Sequence, residues 1–235
     1  MSEIRRIDQL LVASGCYSRK EAKELLKKGR VFVDGQRVTQ GKFPQGVTIS
    51  VDGTALPSTL PLWIMLHKPQ DYVSATQDAQ HKTVLDLLPP EMKERGLFPV
   101  GRLDKDTEGL LLLTEDGLTA HNLLSPRKHV AKVYYVEVEG DLTEYHVEQI
   151  AQGLTLGDGT LCLPAKLEIF SPRSCGEITL CQGKYHQIKR MMASLGTPVT
   201  YLKRISMAGL PLDGTLALGE WRQLSMEEID IISRN

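Results

Sequence analysis

Asp104, Asp106 and Glu108 occupy alternate positions of one short stretch, Gly101-Arg102-Leu103-Asp104-Lys105-Asp106-Thr107-Glu108-Gly109, with Arg102 and Lys105 set among them. A carboxylate held beside cations can serve as a general base or a nucleophile. Two other readings use the same residues. Asp104-x-Asp106-x-Glu108-Gly109, with Glu115 further on, comes close to a calcium-binding loop. That reading meets three obstacles: a Glu at its fifth position, Pro99 and Gly101 where a helix should enter, and Leu112 where a polar side chain is needed. The third reading is a solvated turn, which suits Asp106 and Glu108 best; for Asp104 it implies a local ion pair with Arg102 or Lys105.

Whatever the loop does, its neighbours must hold it. Leu110 to Leu113 form an unbroken apolar run, closed by Glu115-Asp116-Gly117. This is the pattern of a buried strand ending in a turn. A charged loop fixed by a buried strand is a common setting for functional side chains. Trp63 to Leu66 is a second apolar strand, and Pro69 takes the chain out of it after His67-Lys68. Lys132 to Val138 alternates like a half-exposed strand, with Tyr134 facing one side and Tyr135, the better core candidate, the other. Ile188, Met191, Met192 and Leu195 recur at helical spacing, which leaves Lys189 and Arg190 off the apolar face. Further strands are expected within residues 153–170, 177–181, 199–212 and 216–224. Helices are expected at 84–88, at 118–124 and after the capping box that Ser225 opens. Strands and helices mix without regular βαβ alternation. The fold class is therefore α+β, with a mixed, mostly antiparallel sheet and flanking helices.

The first part of the chain has a different character. Residues 1–42 carry ten Lys/Arg against five Asp/Glu, and the rest carries 18 against 24. A basic module joined to an acidic body suits a polyanion partner. Residues 5–14 read as a short amphipathic helix stopped at Gly15. Ser18 and Glu21 make a capping box for a second helix, which bears Arg19, Lys20, Lys23, Lys27 and Lys28. Val31 to Val38 is a hairpin with an Asp34-Gly35 turn, and Val47 to Val51 a third strand. Two prolines in residues 55–61 mark a linker. The boundaries expected are a module over 1–58 and a larger domain over 62–235.

The chain of 235 residues, 41% of them apolar, can build a substantial core. No apolar run is long enough to span a bilayer, and the N-terminus lacks a signal peptide's apolar segment. Cys16, Cys162, Cys175 and Cys181 show no paired metal spacing. A cytoplasmic, reduced protein with no membrane association is expected.

Two sets of motifs resemble known families. Arg6-Ile7-Asp8-Gln9-Leu10-Leu11, Ser18-Arg19-Lys20-Glu21-Ala22 and Gly29-Arg30-Val31-Phe32-Val33-Asp34-Gly35 resemble the αL-motif RNA-binding module, in which many relatives have Lys at the place of Gln9. The loop itself, with Leu110-Leu111-Leu112-Leu113-Thr114-x-Asp116-Gly117 after it, resembles the catalytic motif of RNA pseudouridine synthases. Lys68-Pro69, Lys132-x-Tyr134 and Gly183-Lys184-Tyr185-His186-Gln187-Ile188-Lys189-Arg190-Met191 match that family in its order. Asp71 departs from it, where relatives usually have Gly, but Asp tolerates the left-handed region.

The resemblance points to the small-subunit branch, which acts on uridine 516 of 16S rRNA. It implies uridine-to-pseudouridine isomerisation without metal, nucleotide or redox cofactor. It makes Asp104 the reactive carboxylate, Lys189 its cation and Tyr134 the ring stacked on uracil. Ser18, Arg19, Lys20, Lys28, Arg30, Lys68, Arg102, Lys132, Arg190 and Arg204 become the candidate RNA contacts. The partner implied is 16S rRNA or a small-subunit assembly intermediate, met by a monomer. Large-subunit rRNA or tRNA is the alternative substrate, and a non-catalytic assembly factor the alternative of another class.

Overall fold

The computed structural model of the chain describes residues 4–14, 16–44, 46–56 and 61–234. The helix stop expected at Gly15 and the centre of the linker, residues 57–60, lie outside them. The chain divides into two compact units, Met1–Pro61 and Leu62–Asn235.

In the first unit, helices α1 (Ile7–Ala13) and α2 (Arg19–Lys27) pack on a small sheet of strands β1 (Val31–Val33), β2 (Gln36–Val38) and β3 (Ile49–Val51). Ser18 Oγ accepts from the Glu21 N–H and the Glu21 carboxylate accepts from the Ser18 N–H, so the capping box closes in both directions. Asp34 and Gly35 are both left-handed, at φ 48° and 80°, as a two-residue turn with right-handed strand twist requires. Ile7, Leu10 and Leu11 from α1, Ala22, Leu25 and Leu26 from α2, and alternate residues of β1 and β3 form its core.

The second unit is α+β. Its sheet includes β4 (Trp63–Lys68), β5 (Glu108–Thr114), β6 (Lys132–Val138), β7 (Lys166–Ile169), β8 (Cys175–Leu180), β9 (Val199–Met207) and β10 (Trp221–Gln223). Their spatial order is β7-β8-β6-β9-β5-β4-β10. Along this path only the β5–β9 pair is parallel.

Burial on both faces of this sheet explains the unbroken apolar runs. Leu111 and Leu113 of β5 join Ile64 and Leu66 of β4 in one core cluster; Leu110 and Leu112 join Trp63 and Met65 in another. The first cluster takes in Ile150 of α4 (Glu144–Gln152) and Ile188, Met191 and Met192 of α5 (Gln187–Ser194). The second takes in Ala120 and Leu123 of α3 (Gly117–Leu124) and Ile232 of α6 (Met226–Ser233).

Some expectations change. The expected strand over 199–212 is a strand and its return: β9 ends at Met207, and Leu210–Pro211 folds back onto Ser206 and Met207. Of residues 216–224, only Trp221–Gln223 is strand. Helix α4 was not expected; its signals are the Thr143–His146 cap and the apolar pair Val147 and Ile150. The two tyrosines of β6 also exchange roles. Tyr134 is buried in the first cluster, whereas Tyr135 is half-buried, donates its hydroxyl proton to Glu137 and meets Tyr201 edge-on.

Candidate active site

The register of β4 against β5 sets Lys68 opposite Gly109, so the end of one strand meets the loop that precedes the other. The Lys68 side chain is wholly buried and is no phosphate ligand. Its ammonium donates instead to the carbonyls of Thr107 at 2.8 Å, Asp104 and Pro69 at 3.0 Å, and Lys105 at 3.3 Å. Three protons shared among four carbonyls hold a turn that no regular element stabilises. Burial pushes the Lys68 ammonium down to about 8, against the pull of the Asp106, Asp104 and Glu108 carboxylates.

Two further ties complete the loop. Ser74 Oγ accepts from the Leu103 N–H at 3.0 Å and donates to the Leu103 carbonyl at 2.9 Å. Asp71 is left-handed, at φ 67°, and its N–H donates to the Lys105 carbonyl at 2.9 Å. The substitution of Asp for the more usual Gly therefore preserves the turn.

Gly109 fixes the other end. A Cβ there would stand 2.2 Å from the Arg204 carbonyl oxygen, and its φ of 106° favours glycine in any case. Only glycine lets β5 and β9 run side by side at this point.

Asp104 projects from this loop toward α5. Its Oδ2 lies 3.6 Å from Lys189 Nζ and its Oδ1 lies 3.4 Å from His186 Nε2. The apolar face of α5 is buried, which turns Lys189 toward the carboxylates. Lys189 also donates to Asp106. Burial opposes ionisation of Asp106, but the Lys189 bond and charge hold its carboxyl below the usual range. Asp106 is thus an ion-pair partner and not a free turn residue. Glu108 is paired as well: it starts β5 and accepts from the Tyr201 hydroxyl at 2.6 Å. Burial and this bond together push the Tyr201 phenol up. Asp104 and Asp106 share Lys189 while Glu108 faces Tyr201, and among the described residues no three of the acids gather as a calcium loop requires.

Asp104, Lys189 and Tyr134 line one cavity of about 830 Å³. Arg204 and Lys132 line it too, and both are buried. Arg204 donates through Nε to the Leu110 carbonyl at 2.7 Å and through Nη1 to the Tyr134 hydroxyl at 3.4 Å. Lys132 donates to the Val130 carbonyl at 3.1 Å, and burial, with Arg204 nearby, pushes its ammonium down. Both belong to the inside of the cavity, not to an outer backbone track. Arg102 is exposed at the same cavity and has no ion pair among the described residues. Arg190 is set apart, bonded to Asp158 at 2.5 Å and to the Tyr185 carbonyl at 3.4 Å.

In the first unit, Arg19 and Lys20 are exposed. Ser18 is occupied by its cap. Lys28 pairs with Glu24 at 2.6 Å, and Arg30 pairs with Asp52. Gln9 accepts from the Arg6 N–H at 3.2 Å, so it serves the start of α1.

Three residues gain a place that sequence reasoning did not give them. They are Ser74, the loop's buried hydroxyl; His186, beside Asp104; and Tyr185, stacked on His186. The last two stood within the Tyr-His-Gln motif, but their contacts depend on the fold.

Comparison with known proteins gives concordant similarities. Residues 62–194 match the model of the RNA pseudouridylate synthase family, and residues 5–44 match the S4 domain. The chain is 42% identical to a protein of Bacillus subtilis named only as an RNA pseudouridine synthase, over 97% of this chain and 98% of that one. It is 39% identical to ribosomal small subunit pseudouridine synthase A of Escherichia coli, over 95% of this chain and 98% of that one. A crystal structure of a pseudouridylate synthase superposes with a TM-score of 0.70 at 31% identity, covering 97% of this chain and 99% of that one.

Proposed function

The chain belongs to the RNA pseudouridylate synthase family, and from that premise we propose that it isomerises uridine 516 of 16S rRNA. The reaction conserves atoms. The N1–C1′ bond of uridine breaks, the uracil turns, and a C5–C1′ bond forms; C5 loses a hydrogen and N1 gains one. The observation that carries the catalytic assignment is the Asp104 carboxylate, set between Lys189 and His186 at a cavity that Tyr134 also lines.

Asp104 is the reactive group, as base or nucleophile. Lys189 holds it in place and balances its charge. Tyr134 offers its ring to the uracil and its hydroxyl to proton transfer, with Arg204 behind it. A uracil in a duplex hides its glycosidic bond, so the target enters flipped out or already unpaired. The cavity volume is within the range of small-ligand sites. Arg102, exposed at the same cavity, contacts a phosphate or fills the vacated position. The first unit adds affinity through Arg19 and Lys20 and the start of α2.

The small-subunit target is supported by the relatives named for that subunit. The enzyme acts in the cytoplasm as a monomer, on free 16S rRNA or an assembly intermediate. Among the described residues no helix is long and apolar enough to cross a membrane.

Pseudouridine mapping of total RNA from a strain lacking the protein tests the target. Loss at 16S position 516, restored by the intact gene, is expected. Loss at a large-subunit or tRNA position instead rejects the target and keeps the chemistry. Loss nowhere rejects the enzyme assignment for this chain in favour of an RNA-binding factor.

A further inference from the structure

Tyr185 is 73% exposed, the most exposed of the large apolar or aromatic side chains among the described residues. Its ring lies parallel to the His186 imidazole, with centroids 3.9 Å apart and planes at 17°. His186 is left-handed, at φ 47°, an uncommon conformation for a non-glycine residue. The same imidazole reaches Asp104 Oδ1 at 3.4 Å. Both rings line the cavity that holds Asp104 and Tyr134. An aromatic face open to water beside Asp104 is placed to stack on a base at that cavity.

We propose that Tyr185 is a stacking platform for an unpaired RNA base next to the target uridine, and that His186 behind it links this platform to Asp104. The proposal rests on the assignment of Asp104 as the reactive group. The chemistry favours a nucleobase over an apolar protein side chain. The rim around the two rings is polar and basic, with exposed Lys184 and Arg102 to meet flanking phosphates. Every base has a π-face, and a flat ring backed by a second ring offers a rigid surface for it. Flipping a uridine out of its stack also leaves its neighbour unstacked, so a base with an uncovered face is produced by the reaction itself. His186 and Asp104 then position one another. Tyr185 is a binding residue, and His186 a positioning residue that acts through Asp104.

The test uses the full-length protein and total RNA, labelled with tritium at uracil C5, from a strain lacking it. Isomerisation replaces the C5–H bond and releases the label, wherever the target lies. Tyr185→Ala is expected to raise KM roughly 5- to 100-fold with kcat changed by less than about threefold. Tyr185→Phe and Tyr185→Trp, which keep the ring, are expected to restore KM. An unchanged KM in Tyr185→Ala, or a Phe variant as impaired as the Ala one, overturns the platform. His186→Gln keeps a hydrogen-bonding group near Asp104 and is expected to lower kcat and to alter its pH profile. The wild-type profile in that variant overturns the link to Asp104. Pseudouridine mapping of the reacted RNA reads the target separately, so a wrong target does not decide the fate of the platform.

Discussion

At the residue scale, Lys68 shows how one buried side chain can build a site by gathering backbone. Its ammonium gathers four carbonyls, three of them from the Asp104 loop. The cost of burying that charge sets a pH signature. Lys68 holds its proton up to about 8 when folded and up to its ordinary 10.5 when unfolded. The unfolded state therefore binds more protons between these values, and stability from this group grows as pH rises through the window. It is fully present above 10.5 and lost as pH falls through 8. Relative to Lys68→Met, the wild type should gain roughly 3 kcal/mol between pH 7.5 and 10.5. Urea unfolding of both proteins at the two pH values measures this. A difference that stays flat would mean that Lys68 titrates as it does in water.

At the element scale, the register of three strands decides what Asp104 can meet. β4 brings in Lys68, β5 anchors the loop, and β9 runs against Gly109 through Arg204. Gly109→Ala should destabilise the protein by about 3 kcal/mol or more, because the added carbon meets backbone and not a side chain that can turn away. A melting temperature equal to that of the wild type would show that the β5–β9 pair opens freely. Much at this scale was legible in sequence. Leu110 to Leu113 announced a buried strand because both faces of the sheet are covered, and Ser18 with Glu21 announced a helix start because the cap is local. What was not legible depends on distant partners. Nothing near Lys68 says that its amine will be wrapped by carbonyls almost forty residues away. Alternation placed Tyr134 and Tyr135 on opposite faces without saying which face the core would take. The meeting of Asp104 with Lys189 was implied only by resemblance, since the two lie on separate elements with β6 and β8 between them in the chain.

At the scale of the whole molecule, two units divide the work of binding RNA and changing it. The first carries a basic helix start and a core of its own, and the second carries the cavity. Removal of residues 1–58 should weaken RNA binding by roughly tenfold or more at moderate salt. It should also flatten the dependence of affinity on salt, because fewer counterions are released. Filter binding of 16S rRNA across a salt series reads both quantities. An unchanged slope would reduce the first unit to an appendage. The central claim is that Asp104 performs the isomerisation. Its most direct measurement compares wild type and Asp104→Asn, both full length, for pseudouridine formed in total RNA from a strain lacking the protein, with RNA affinity measured alongside. The account predicts that Asp104→Asn loses activity by at least about 10³-fold while its affinity stays within a few fold of the wild type. Pseudouridine formed by Asp104→Asn at a rate close to that of the wild type would contradict it.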